Sequence, residues 1–247
     1  MRLSLVRGAV IAPFTIAWVL LAAGQAFAAG TVDHHAAPNH KVHHGTSSNW
    51  SGYAVSGFGP YTSVSSSWTQ PAVNCAKTPT GWSAFWVGLD GDSTNTVEQT
   101  GTEADCSSGA ASYYAWYEMY PKYPVNYANP VSAGDGFTAS VAYVGRGYFK
   151  LTLSDTTRGW SRTTTQRLKS AKRGSAEAIA EAPSGGGGVL PLADFGTVGF
   201  TGASVDGSPL TSSTPGVEPI TMVSAGAVKA APSAVSSGSF SDTWYSQ

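Results

Sequence analysis

Gln99 and Glu181 carry the chemistry that this chain can offer. Gln99 ends the run Trp86-Val-Gly-Leu-Asp-Gly-Asp-Ser-Thr-Asn-Thr-Val-Glu-Gln, and Glu181 ends Ser175-Ala-Glu-Ala-Ile-Ala-Glu. A carboxylate can take a proton from water, and a carboxamide can donate to the oxygen that becomes negative when that water attacks a carbonyl. The amide does not titrate in the useful range, so it supplies a constant dipole at acid pH, where a second carboxylate would be partly protonated. All five histidines, His34, His35, His40, His43 and His44, precede residue 45. Ser-His-Asp, Cys-His and His-ligated zinc chemistry are therefore excluded from the rest of the chain. Carboxylic acids, amides, hydroxyls and lysines remain. The unperturbed glutamate pKa of about 4.3 makes an acid optimum the expectation, with no large shift required of Glu181.

The elements that must hold this pair read as strands. Apolar residues alternate with serine and threonine over Ser63 to Thr69, and again at Phe137, Ala139, Val141 and Tyr143 and at Phe149, Leu151 and Leu153. Further strands are expected at Ala84 to Leu89, Thr96 to Thr100, Ser112 to Tyr120, Thr163 to Leu168, Thr197 to Thr201, Pro219 to Val223 and Phe240 to Tyr245, with Gly, Pro, Asn and Asp in the gaps. Many short antiparallel strands without a βαβ rhythm predict an all-β fold, two packed sheets or a jelly roll. Ser175 to Ala182 is ambiguous, because its alanine and glutamate content favours a helix. In either form Glu177 and Glu181 share a face. The glycine run 185–188 that follows reads as a flexible loop or lid.

Met1 to Ala28 reads as a secretory signal, with Arg2 and Arg7 before an apolar core and Ala26-Phe-Ala28 as a small-x-small cleavage site. Pro13 interrupts the apolar run, which is shorter than the about 20 residues a bilayer span needs. An exported, membrane-free mature protein is expected. Residues 29–48 read as a His-rich linker or pro-segment and 49–247 as one domain. Removing Arg2, Arg7, Lys41 and Asp33 from 14 basic and 15 acidic residues leaves 11 and 14, a balance of −3 that gives nucleic-acid binding no support. Cys75 and Cys106, the two cysteines, are expected to pair in an oxidising compartment, stabilising by roughly 3 to 4 kcal/mol and tethering the loop that leaves the Gln99 strand. Asn49-Trp50-Ser51 is a glycosylation sequon.

The chain resembles the eqolisins, the glutamic peptidases. Asn49-Trp50-Ser51-Gly52 is similar to the family's opening, Trp86-Val-Gly-Leu-Asp-Gly-Asp92 to its central motif, and Glu98-Gln-Thr-Gly101 to the stretch carrying its catalytic glutamine. Ala115-Trp-Tyr-Glu-Met-Tyr-Pro121 resembles an Ala-Trp-Tyr-Glu-Trp-Tyr-Pro signature, Ala176-Glu-Ala-Ile-Ala-Glu181 the stretch ending in the catalytic glutamate, and Leu192-Ala-Asp-Phe-Gly-Thr-Val-Gly-Phe200 the strand that follows. The resemblance covers Asn49 to about Tyr245. It implies a sandwich of two antiparallel bent sheets and Gln99 with Glu181, rather than Glu177, as the catalytic pair. Trp50, Trp86, Trp116 and Glu118 then line or support a cleft, with Asp90 and Glu103 as acids nearby. It also implies cleavage of protein or peptide substrates at acid pH without metal or organic cofactor, and a removable pro-segment. Ala178 and Met119 stand where the family has aromatic residues, which is expected to alter the shape of the cleft.

Two other readings stay open on the residues alone. Eight tryptophans and eleven tyrosines could form a sugar-stacking platform, with Glu98 and Glu118 flanking a glycosidic bond in a secreted glycoside hydrolase. The same aromatic residues could serve a non-catalytic carbohydrate-binding module. A monomer is the default expectation for an exported hydrolase.

Overall fold

The computed structural model describes residues 45–92 and 94–247. The signal sequence expected at Met1 to Ala28, and the histidine-bearing stretch as far as His44, lie outside the described residues. The strands are β1 (Thr46–Ser47), β2 (Trp50–Ser56), β3 (Ser63–Thr69), β4 (Gly81–Leu89), β5 (Val97–Ser107), β6 (Ala110–Tyr120), β7 (Val125–Tyr127), β8 (Gly136–Gly145) and β9 (Tyr148–Asp155). They continue as β10 (Trp160–Arg167), β11 (Ser175–Glu181), β12 (Ser184–Gly185), β13 (Gly188–Val189), β14 (Thr197–Val205), β15 (Ser208–Pro209), β16 (Val217–Ser224), β17 (Ala227–Pro232) and β18 (Phe240–Trp244). The sheet starts inside the expected linker, because Thr46 and Ser47 pair in parallel with Thr221 and Met222 of β16.

One sheet runs β10-β9-β8-β3-β14-β18-β17-β16 and the other β16-β2-β11-β4-β5-β6-β7. Strand β16 belongs to both: Val217 to Ile220 pair with β2, while Met222 to Ser224 pair with β17 across a register shift. A strand that passes from one sheet to the other closes one side of a sandwich. The expected architecture of two antiparallel sheets is present.

Between the sheets lies the main core. Phe85, Val87 and Leu89 of β4 belong to it, together with Phe137, Phe149, Leu151, Leu153 and Phe200 of the first sheet. Trp68 of β3 stacks on Phe137 and donates its indole N–H across the core to Thr102 Oγ1 of β5 at 2.9 Å. Such a bond removes the cost of burying the indole nitrogen and fixes how the two sheets face each other.

The ambiguous segment is a strand. Its neighbours decide the matter, because β11 is hydrogen-bonded to β2 on one edge and to β4 on the other, with all seven residues buried. A helix would forfeit both ladders. The glycine run carries a two-stranded ribbon, in which Ser184 pairs with Val189 and Gly185 with Gly188. Cys75 and Cys106 form the expected disulfide, with Cα atoms 5.3 Å apart. Cys106 lies within β5 itself, so the bridge ties the β3–β4 connection to the end of the Gln99 strand.

Candidate active site

Side chains of the second sheet alternate between the main core and an outer face. Across that outer face the pairing register sets three rows. The first is Ala54, Glu177, Gly88, Gln99 and Glu118; the second is Gly52, Ile179, Trp86, Gly101 and Trp116; the third is Trp50, Glu181, Ala84, Glu103 and Tyr114. Every residue singled out from the sequence for the peptidase site, except Asp90, stands on this face. A separate apolar cluster that includes Trp50, Trp86, Val97, Trp116 and Ile179 packs around the polar groups.

Glu181 is fully buried, and both of its oxygens are engaged. Trp86 Nε1 donates to Oε2 at 2.7 Å and Asn49 Nδ2 to Oε1 at 3.0 Å. Asn49 is itself oriented by Ser47, whose hydroxyl donates to Asn49 Oδ1 at 3.1 Å. Burial, followed by the charge of Glu118, pushes the Glu181 carboxyl well above the usual glutamate range, and the bond from Trp86 opposes them. Glu181 thus carries an upward shift that chemistry at acid pH does not itself require. The sequon is corrected, because Asn49 is fully buried and its amide is committed to Glu181.

Gln99 is likewise fully buried, and its Nε2 donates to Glu118 Oε2 at 2.7 Å. A carboxamide nitrogen carries two hydrogens, so one N–H fixes the amide while the other is left to act. Gln99 Oε1 has no hydrogen-bond partner among the described residues, and neither has Trp116 Nε1 in the next row. Buried polar atoms are normally satisfied, and on this face Glu103 Oε1, Asp105 Oδ1 and both Glu177 oxygens also lack a partner among the described residues.

Glycines make room for Trp86. A Cβ on Gly101 would fall 2.1 Å from the Phe85 carbonyl oxygen and 2.6 Å from Trp86 Cβ, and one on Gly88 would fall 2.9 Å from the Trp86 ring. Trp50 packs edge-on against Trp86 with ring centroids 5.1 Å apart. The indole that holds Glu181 is thus wedged between sheet and neighbour.

Asp90 serves from behind. It follows the last residue of β4, at φ 67°, and accepts the backbone N–H groups of Lys172, Arg173 and Gly174 at 2.8 to 2.9 Å. Those residues lead directly into β11, so Asp90 sets where Glu177 and Glu181 begin. Glu103 stands across Ala84 from Glu181, and burial, Asp105 and Glu181 all raise its pKa. Asp105, two residues on, is pushed up to about 8 by burial, although Tyr114 Oη donates to it at 3.0 Å. Asp105 and Asn49 were not singled out from the sequence. For Asp105 the period-two series Gln99, Gly101, Glu103, Asp105 was the available signal, had the strand been carried past Thr100.

Two expectations are overturned by which face a side chain takes. Ala178 and Met119 lie in the main core between the sheets, so their departures from the family pattern alter inter-sheet packing and not the outer face. Glu98 pairs with Met119 and therefore faces the core, whereas Glu118 pairs with Gln99 and faces outward. Acids on opposite sides of a sheet cannot flank one glycosidic bond. Among the described residues no group of three or more His, Cys, Asp or Glu side chains is arranged to hold a metal ion.

Comparison with known proteins places the chain in a family. The sequence model of the Peptidase A4 family matches residues 48–244. Aspergillopepsin-2 of Aspergillus niger is 32% identical over 182 residues, which take in 64% of this chain and 64% of that protein's length. A scytalido-glutamic peptidase crystallised with a transition-state analogue inhibitor superposes with a TM-score of 0.70 at 26% identity, over 80% of this chain and 98% of that one. SCP-B, a member of the eqolisin family solved in complex with the tripeptide Ala-Ile-His, gives 0.66 at 25% identity over the same shares, 80% and 98%.

Proposed function

The chain belongs to the Peptidase A4 family, and from that premise we propose that it is an exported acid endopeptidase in which Glu181 is general base and acid and Gln99 stabilises the oxyanion. Ionised Glu181 takes a proton from a water molecule, whose oxygen forms a bond to the scissile carbonyl carbon. The carbonyl π electrons move to oxygen, and the free N–H of Gln99 donates to it. Protonated Glu181 then delivers its proton to the amide nitrogen as the C–N bond breaks, releasing an amine and a carboxylic acid. Protein or peptide chains are the substrates. The N-terminal 28 residues are read as a signal, residues 29–48 as a linker or pro-segment and 49–247 as the working domain, acting as a monomer.

One observation carries the assignment: Glu118 is bonded to Gln99 and is also the leading charge acting on Glu181. The glutamine's anchor and the glutamate therefore share one electrostatic neighbourhood. A second reading has Glu177 as the base, and it is favoured by Glu177 standing in the same row as Gln99, across the side-chain-free Gly88. The leading charges on Glu177, however, are Asp92 and Asp90, at the far end of the strand from Glu181.

Hydrolysis of denatured casein at acid pH tests both readings. Gln99→Ala and Glu181→Gln are each expected to lower kcat/KM by about 100-fold or more, while Glu177→Gln stays within several fold of wild type. Loss of activity in Glu177→Gln with retention in Glu181→Gln would transfer the base to Glu177. An inactive wild-type protein, with processing verified, would defeat the peptidase reading.

A further inference from the structure

We propose that the β8–β9 turn and the segment 168–173 together form a binding site for a phosphate or sulfate ester, separate from the Gln99–Glu181 pair. A pocket of about 350 Å³ opens between them, lined by Arg146, Lys169, Lys172 and Arg173 over the rings of Tyr143 and Phe149. Of the eleven cationic residues after His44, four line this pocket and no carboxylate does. That concentration sits on a domain whose overall balance is acidic, so the local field opposes the global one and draws anions to this spot.

The walls are fixed before any ligand arrives. Leu168 N donates to Gly147 O at 2.9 Å, and Arg167 Nε donates to Arg146 O at 3.1 Å, which ties the segment to the turn. The Arg173 guanidinium lies 4.0 Å from the Tyr143 ring centroid. Asp90 holds the backbone N–H groups of Lys172 and Arg173 from the other side. The field of Asp206 also reaches Arg173, but that carboxylate is engaged with Thr62 and Ser63. Four cationic side chains around one cavity, of which Arg173 is held over Tyr143, favour a compact tetrahedral oxyanion, which accepts several charge-assisted hydrogen bonds at once.

The choice of anion rests on the acid working range proposed above, although the pocket does not. Carboxylate ligands lose their charge near pH 4, whereas a phosphate monoester keeps one negative charge below its second pKa of about 6 and a sulfate ester keeps its own.

Calorimetry on the full protein at about pH 4.5 tests the proposal with four probes: inorganic phosphate, a phosphoserine peptide, its serine counterpart and a sulfated monosaccharide. Saturable binding is expected for at least one of the charged probes, while any binding of the serine peptide in the catalytic cleft is expected to be unaffected by Lys169→Ala with Lys172→Ala; which charged probe binds most tightly identifies the source of the group. Lys169→Ala with Lys172→Ala is expected to raise Kd at least about tenfold, and Lys122→Ala, a substitution outside the pocket lining, to leave it unchanged. Lys169 and Lys172 are exposed, so the double variant is expected to fold as the wild type does, which circular dichroism verifies. Repeating the titration on Gln99→Ala separates the two claims, because a failed peptidase reading leaves the binding result intact. Absence of saturable binding for every charged probe, or equal weakening by Lys122→Ala and the double variant, would overturn the proposal.

Discussion

Asn49 donates its side-chain amide to Glu181 at 3.0 Å, joining positions 132 residues apart in the chain. The bond lets the bend between β1 and β2 orient the carboxylate that β11 presents. Because it favours the ionised carboxylate, Asn49→Ala is expected to raise the Glu181 pKa further. A bond to a charged group is worth about 1.5 to 3 kcal/mol, so the low-pH limb of kcat/KM should move upward by about one to two pH units. A limb that stays in place, or moves downward, would show that Glu181 does not govern it.

Glu118→Gln should move the same limb the other way. The charge of Glu118 raises the Glu181 pKa, so its removal lets Glu181 ionise at lower pH. The glutamine introduced at 118 still offers an oxygen to Gln99 Nε2, which keeps the amide in place. The expected result is a downward shift of the limb with kcat reduced by less than about tenfold, read from pH profiles of the two variants side by side.

Gly101→Ala should destabilise the protein by about 3 kcal/mol. The obstacle is the carbonyl oxygen of Phe85 at 2.1 Å, backbone that cannot swing aside as a side-chain end could. Urea midpoints of the variant and wild type measure the loss. A change below about 0.5 kcal/mol would mean that β4 and β5 can separate locally without cost.

Stability should fall as pH rises from about 4 to about 8. Burial pushes Glu98 up to about 9 and Asp242 up to about 8, while the same groups titrate near 4 in the unfolded chain. Between those values the folded state holds more protons than the unfolded state, so each group's contribution is complete at low pH and is lost progressively toward the folded pKa. Asp242→Asn keeps an oxygen for the Ser51 hydroxyl, which donates to Asp242 at 2.9 Å. It should flatten the slope of unfolding free energy between pH 5 and 7 by about 1.4 kcal/mol per pH unit. Parallel slopes for variant and wild type would place the titration elsewhere.

Strands with one wet face were legible from the sequence. Ser63 to Thr69 was bounded to the residue, because its side chains alternate between core and partial exposure. Strand β5 was ended seven residues early, since ten of its eleven residues are buried, including Glu98, Gln99, Glu103 and Asp105. A strand covered on both faces with polar residues on one of them breaks the rule that polar means outside. For β11 the local propensity pointed toward a helix, and only pairing with two distant strands decided otherwise. That β4 lies between Glu181 and Gln99 is a property of sheet order, which no local pattern encodes. The proposed pairing of Gln99 with Glu181, by contrast, rests on family motifs that survive as short contiguous words.

The alternation of β5 has a practical outcome for anyone wishing to redesign the protein. Val97, Gln99, Gly101, Glu103 and Asp105 point one way, while Glu98, Thr102 and Ala104 point the other. A combinatorial library confined to odd positions other than Gln99 and Gly101 would sample new ligand preferences while leaving the core between the sheets intact; one that randomised even positions would mostly return unfolded clones. Parity along a single ribbon thus separates what can be retuned from what must be kept.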